Sequence, residues 1–423
     1  MLRTTRRGAT RRTALAAGIA ALALTATACG SSSNSSSDPK GSTDKTPAAV
    51  ADAPAGTFAG KAATGTPVKV GLMNPEGGQA VNMPESRVAA EAAVAYANAN
   101  LGGLGGHKIE LDICKTKEED PSNLTACANQ MVQDKVVGLV EGNTGNGSLI
   151  VPIITKAGMA YTSYTAASPE EIATPGSYIW TGGVPGVTIA MAKTAAGAGV
   201  KSFTIFVTSN ALASVQAMAE PTFKAAGIAL NVTSIPVGTA DASPQVAAGL
   251  KSNPGAVAIV GDSAMCSATL KGLQTVGSTA TRYVIQPCMD ASVYKAVPTE
   301  LDGSMLFTTS ATDGSDDEAK IYQAVMAKYA PSGAELGGAA ASGYQSMLGF
   351  IRAVNAGISG QDVTAATVLK AIAAAKDVPL PLGDGIKMTC DGKQLPQMPA
   401  ICSAGQAVGK VEGGKVPAFT IVS

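Results

Sequence analysis

PVKVGLM (67–73) is followed by NPEGGQ (74–79) and then by PESRVAAEAAVAYANAN (84–100). The first stretch is almost wholly aliphatic, as in a strand buried on both faces. The second is a Gly-rich turn, and the third carries Ala and Val at helical spacing. Strand, turn and helix in this order make half of a βαβ unit. KIELDIC (108–114) supplies the next strand, and Asp120-Pro121 opens the following helix with an acidic cap and Pro in its first turn. The pattern then repeats. Strands are expected at 136–141, 160–164, 202–207, 229–235, 256–260 and 283–286, with helices at 148–158, 186–199, 212–227, 244–253 and 265–277. Ser315-Asp316-Asp317-Glu318 reads as a capping box opening a helix to Tyr329. Such alternation predicts an α/β fold of parallel sheets with helices on both faces. This many strands would crowd one doubly wound sheet, so two lobes are expected. Ligands of such sheets bind beyond the carboxyl ends of the strands.

The chain has 423 residues, enough for two or three domains, and 46% are hydrophobic against 15% charged, which excludes a disordered protein. Its 31 Lys+Arg balance 31 Asp+Glu, so the basic footprint that nucleic acid requires is missing. One His, His107, in a turn before a strand, leaves little for acid–base or metal chemistry, and no CxxC or His cluster suggests zinc. GxSxG and Walker A sequences are missing, and Ser292-Val293-Tyr294-Lys295 matches SxxK without its partner motifs. The loop from Asp313 to Asp317 lacks the terminal Glu of a calcium loop. No catalytic residue, metal or cofactor is therefore assigned, and the chain is not expected to be an enzyme.

The N-terminus reads as an export signal. Residues 1–12 hold five Arg, 14–28 are apolar but too short to span a bilayer, and Ala26-Thr27-Ala28 leads into Cys29. Residues 1–28 are expected to be a signal peptide of the lipoprotein type, with Cys29 as the lipidated residue. The general secretory and twin-arginine routes both stay open. Residues 29–65 are rich in Ser, Gly, Pro and Ala, and are expected to form a disordered tether between lipid and folded body. Six cysteines remain. Their connectivity is open on sequence alone, but neighbours Cys114/Cys127, Cys266/Cys288 and Cys390/Cys402 are the expected disulfides of an exported chain.

The run Ala97-Asn98-Ala99-Asn100-Leu101-Gly102-Gly103-Leu104-Gly105-Gly106-His107 before the second strand resembles a signature of branched-chain amino-acid-type solute-binding proteins of ABC transporters. Asp120-Pro121, Asp134-Lys135-Val136-Val137-Gly138-Leu139-Val140 and Gly158-Met159-Ala160-Tyr161 follow in that family's order. The resemblance covers roughly 68–423 and implies the type I periplasmic-binding fold. That is two doubly wound lobes joined by three crossovers, with a solute trapped between them. It places the crossovers near 182–187, 308–312 and 379–385. The N-terminal lobe is then 66–184 plus 311–378, and the C-terminal lobe 185–310 plus 379–423.

The resemblance also implies the solute-binding loops. On the first lobe they are Asn74, Glu76, Gly77, Gly78 and Gln79 after the first strand; Asn143, Thr144 and Gly145 after the third; and Tyr164, Thr165, Ala166 and Ala167 after the fourth. On the second lobe they are Asn210, Asp262, Ser263, Met289 and Asp290. Relatives that bind amino acids place an acid near Cys288 and often a Tyr near Leu212, and this chain departs from both. Glu76, Asp262 and Asp290 with no Arg in these segments lead to the expectation of a small polar solute carrying an amine or amide. Asp262 and Asp290 could equally cap the helices that follow them. The implied partners are that solute, an ABC permease and a membrane reached through the lipid; the chain is expected to be exported, lipid-anchored and monomeric. A surface ligand sensor of the same fold is the alternative, ahead of an extracellular enzyme.

Overall fold

Each lobe is a sheet whose strands alternate their side chains between two helical layers. The computed structural model describes residues 48–79, 81–312, 316–358 and 360–423. The first sheet holds β1 (Gly65–Pro75), β2 (His107–Thr116), β3 (Gly138–Glu141), β4 (Ala160–Ser163) and β5 (Ser177–Ile179) in the order β2-β1-β3-β4-β5. All four pairings are parallel. Val70, Leu72 and Val140 join one core with the helices Pro84–Asn100 and Gly338–Gly357. Met73 and Leu139 face the opposite way, into a core shared with the helices Pro121–Gln133 and Gly147–Lys156. Burial on both faces is why these strands read as continuous aliphatic runs.

The second sheet is larger: β6 (Ser202–Thr208), β7 (Ala229–Ile235), β8 (Ala256–Val260), β9 (Thr281–Ile285), β10 (Met305–Thr308), β13 (Gln406–Lys410) and β14 (Thr420–Val422). Between them in the chain lies the small ladder of β11 (Val378–Pro379) and β12 (Lys387–Met388). The order is β14-β13-β10-β9-β8-β6-β7, with the β10–β13 and β13–β14 pairings antiparallel and the rest parallel. Phe203, Ile205 and Val207 point to one layer, and Phe206, Val257 and Ile259 to the other. The two-lobe α/β expectation holds, and the second sheet adds an antiparallel edge to its parallel core.

Two features of the chain's path differ from the sequence reading. The signal segment 1–28, Cys29 and the tether to residue 47 lie outside the described residues. The rest of the proposed tether is ordered: after a short helix, Ala48–Ala51, Phe58 lies edge-on to Tyr96 with ring centroids 6.0 Å apart. Lys328 Nζ sits 4.2 Å from the centre of the same ring. Phe58 is the one aromatic in 29–65, and its packing, half-buried, against the first lobe moves the start of the body upstream of residue 66.

The third crossover is the second correction. Residues 379–402 stay with the first lobe. Leu380, Leu382, Ile386 and Met388 join its core, Ile179 N–H donates to the Ala400 carbonyl at 2.8 Å, and Cys402 N–H donates to Ile179 at 2.7 Å. The chain crosses only between Ser403 and Gln406, so the Cys390–Cys402 disulfide precedes the crossover.

All three expected disulfides, Cys114–Cys127, Cys266–Cys288 and Cys390–Cys402, are present. Cys114 near the end of β2 is bonded to Cys127 in the middle of the helix Pro121–Gln133. Cys127 is buried beside Leu124, Ala128 and Met131 in the core under that helix, and Cys114 packs against the same core. The bond therefore staples a helix to the edge strand of the first sheet.

The helix Gly338–Gly357 fixes the first lobe's wall. A Cβ on Gly343 would lie 2.0 Å from the Ser86 carbonyl oxygen, so only glycine lets this helix close on Pro84–Asn100. Gln345 ties it to the crossover region: Nε2 donates to the carbonyls of Thr309 and Pro381, both at 2.7 Å, while Oε1 accepts from Ser310 Oγ at 2.8 Å. The capping box expected at Ser315 includes a residue outside the described set. The cap seen on Asp317–Tyr329 is Asp316, accepting from Glu318 and Ala319 N–H.

Candidate functional site

A cleft of about 800 Å³ lies beyond the carboxyl ends of the strands of both sheets. β3, β4 and β5 deliver Asn143, Tyr164, Thr165 and Thr181 to one side, and the start of the helix Gly338–Gly357 completes it. β8 and β9 deliver Asp262, Ser263, Gln286, Met289 and Asp290 to the other. The crossovers close the base with Gly183, Thr308, Ser310 and Gln406. Val187, Val260, Ile285 and Phe307 contribute apolar surface. Asp262 and Asp290 are the only charged side chains lining it among the described residues.

Of the residues proposed from sequence, Asn143, Tyr164, Thr165, Asp262, Ser263, Met289 and Asp290 line this cleft. The others are engaged elsewhere. Asn74 is buried and donates from Nδ2 to the Met83 carbonyl at 2.9 Å. Glu76 receives a two-pronged ion pair from Arg87, Nε to Oε2 at 2.7 Å and Nη2 to Oε1 at 3.2 Å, with Lys115 Nζ at 2.7 Å from Oε1. The Arg87 guanidinium is the main reason its carboxyl titrates below the ordinary range, with Lys115 adding to the effect against the cost of burial. Gly77 N–H is held by Asn82 Oδ1 at 2.8 Å, Gln79 N–H by Glu119 Oε1 at 2.8 Å, and Gly78 lies against the same Glu119.

Thr144 Oγ1 and Gly145 N–H both donate to Glu118 Oε2, at 2.9 and 3.0 Å. Ala167 N–H donates to Glu171 Oε2 at 2.9 Å, and neither it nor Ala166 lines the cleft. Asn210 sits in a single 3₁₀ turn, also away from the lining. Acids that a sequence cannot place beside these loops thus satisfy them from within the lobe. His107 is structural as well, its Nδ1 lying 2.7 Å from the Thr66 carbonyl oxygen.

None of the paired cysteines lines the cleft. Cys114 and Cys127 sit in the first lobe's outer core and Cys390 and Cys402 beside the third crossover, so both bonds hold the frame and take no part in recognition. The Cys266–Cys288 disulfide comes nearest, joining the helix begun by Asp262 to the turn that precedes Asp290.

Both cleft acids also cap. Asp262 Oδ1 accepts from Met265 N–H at 2.8 Å, and Asp290 Oδ1 accepts from Ser292 N–H at 2.8 Å. The Ser292 hydroxyl and then its N–H hold the Asp290 carboxyl below its ordinary value, so it is ionised at neutral pH.

Behind the first wall lies Glu141, 1% exposed, with neither oxygen in a well-formed hydrogen bond. Burial, reinforced by the charges of Glu118 and Glu171, pushes its carboxyl well above the ordinary glutamate range. It therefore carries a proton where surface glutamates do not.

Two parallel-sheet lobes, three crossings and a cleft at the strand ends describe a hinged binding protein. A family model described as "Periplasmic binding protein" matches residues 67–402. The chain belongs to the periplasmic binding protein family. Its fold is similar to that of a putative branched-chain amino acid ABC transporter protein from Rhodospirillum rubrum, with TM-score 0.68 and 20% identity over 83% of this chain and 99% of that one. An ABC transporter substrate-binding protein from Sphaerobacter thermophilus matches with TM-score 0.67 and 17% identity, covering 84% and 97% of the two chains. A leucine-binding protein from Thermotoga maritima matches with TM-score 0.63 and 17% identity, covering 84% and 99%. No curated protein matches the sequence.

The sequence reading missed Thr181, Thr308, Ser310, Gly337 and Gln406, which reach the cleft from crossovers or helix starts. Small and hydroxyl residues clustered in TTSAT (308–312) are the one signal that could have pointed to the base.

Proposed function

We propose that the chain is an exported, lipid-anchored receptor that closes on a small polar solute and delivers it to an ABC permease. The observation that carries this reading is the interlobe cleft of about 800 Å³ at the carboxyl ends of both sheets, large enough for an amino-acid-sized molecule. Two acids and no Lys or Arg line it among the described residues, which favours a cationic or neutral solute rich in N–H donors over an anion. Asp262 and Asp290 use Oδ1 for capping, and Oδ2 is the oxygen proposed to receive an amine or amide. Both lining carboxylates are engaged as helix caps, and binding without chemistry is the role assigned.

Calorimetry of the wild-type chain against amino acids, amides and polyamines tests binding. Uptake of the best ligand by cells lacking the chain then tests delivery. A fall in uptake to background supports the transport role; unchanged uptake of a tightly bound ligand would favour a sensor. Cys29→Ala tests the anchor separately, and should move the protein from the membrane to the soluble fraction, since a diacyl anchor far exceeds one chain's marginal binding. Unchanged membrane association would defeat it.

A further inference from the structure

Gln406 is fully buried, opens β13 at the third crossover and lines the cleft, yet neither Oε1 nor Nε2 has a hydrogen-bond partner. Both ends of the amide are unpaired whichever way it is drawn. The other glutamine near the crossovers, Gln345, is also fully buried and uses both ends in three bonds. A buried amide left unpaired costs more than a hydrogen bond contributes, so a group inside the cleft is its natural partner.

The surroundings say which group. Gln406 lies against the first turn of the helix Gly183–Gly197, where a Cβ on Gly186 would stand 3.1 Å from Nε2. That helix begins without a side-chain cap, and Gly183 and Val184 of its first turn line the same cleft. Free N–H groups and the positive end of the helix favour an acceptor oxygen beside Nε2, while Oε1 requires a donor.

Resting on the receptor reading above, we infer that Gln406 is a specificity-determining residue for a carboxamide or ureido solute. The solute's carbonyl oxygen accepts from Nε2 at the helix start, and its N–H donates to Oε1. A carboxylate would meet Nε2 but set its charge against Oε1; an ammonium would meet Oε1 and leave Nε2 bare. Gly186 is the residue that leaves room for the amide.

The test is calorimetry, supported by thermal unfolding, of the full chain with acetamide, urea and L-asparagine set against acetate, L-aspartate and L-leucine. Wild type should bind at least one of the first three about 10-fold or more tightly than any of the second three. Gln406→Glu keeps size and acceptor but removes the N–H donors, and should lose about 10-fold or more for that probe. Gly186→Ala, which crowds Nε2 from outside the pocket, should weaken the same probe and serves as the second variant should the first fail to fold. Preference for leucine or a carboxylate, or wild-type affinity in the folded variants, would overturn the inference while leaving a receptor. Failure of every probe of both sets would overturn the inference and count against the receptor reading as well.

Discussion

The two walls of the cleft treat their polar groups differently. On the first lobe, loops that look made for a solute are closed by internal charge: Glu76 by Arg87 and Lys115, Thr144 and Gly145 by Glu118, Ala167 by Glu171. On the second lobe and at the crossovers, Asp262, Asp290 and Gln406 reach the cleft with capacity to spare. Polar groups satisfied within a lobe make a rigid wall; those left open recognise. Those first-lobe loops are thus read as frame, and the groups facing the cleft, Asn143 and Thr165 on the first lobe with the second lobe and the hinge, as reader.

The comparison breaks most visibly if the acids are exchanged. Asp262→Asn and Asp290→Asn both keep capping ability, because Asn caps about as well as Asp. The variant that removes the solute's main partner should lose about 2–5 kcal/mol of affinity by calorimetry, with little change in unfolding. Equal binding by both would reduce the acids to caps. Next in size is the Cys266–Cys288 bond, which closes a separation of 22 residues against the reader wall. Replacing both cysteines by Ala should lower stability by about 3 kcal/mol in denaturant unfolding. No loss would mean that the wall holds its shape without it.

Glu141 sharpens the picture of the frame. Its folded-state pKa is raised, so the native state holds a proton that the unfolded chain releases, and its contribution is lost as pH rises above the ordinary glutamate value. Glu141→Gln should gain on wild type by up to about 1.4 kcal/mol per pH unit above that value. Parallel stability curves for the two proteins between about pH 5 and pH 7 would contradict it. Glu76 has the opposite sign: its folded pKa is depressed, so its contribution is present at neutral pH and lost as pH falls through that lowered value. Glu76→Gln should cost about 1 kcal/mol at neutral pH, less in acid, and leave solute affinity unchanged. A fall in affinity would return Glu76 to the cleft.

The same contrast separates what the sequence discloses from what it hides. PVKVGLM, KIELDIC and their successors are legible because strands buried on both faces keep an aliphatic run. The helix Gly338–Gly357 escapes notice for the opposite reason: its residues are buried without a break from Ala340 to Ile351, which erases the polar face that marks a surface helix. β5 is three residues long and too short to signal itself. Residues 379–402 are held to the first lobe by Ile179, far off in sequence, and no local pattern announces that.

At the site, Asp262, Ser263, Met289 and Asp290 could be found because they end strands β8 and β9, where such folds bind ligands. Glu76 was legible as an acid in a loop, but its partners Arg87 and Lys115 lie in the next helix and the next strand. Gln406 carries no signal of its own, since an isolated Gln before a strand is ordinary until its amide is seen buried and unpaired.

The central claim, that the cleft between the lobes holds one small polar solute, is tested most directly by native mass spectrometry of the wild-type chain incubated with amino acids, amides and polyamines. The expected result is a single one-to-one adduct, selected from the mixture, that disappears under denaturing conditions. A spectrum of bare chain alone, or of multiple unselective adducts, would contradict it.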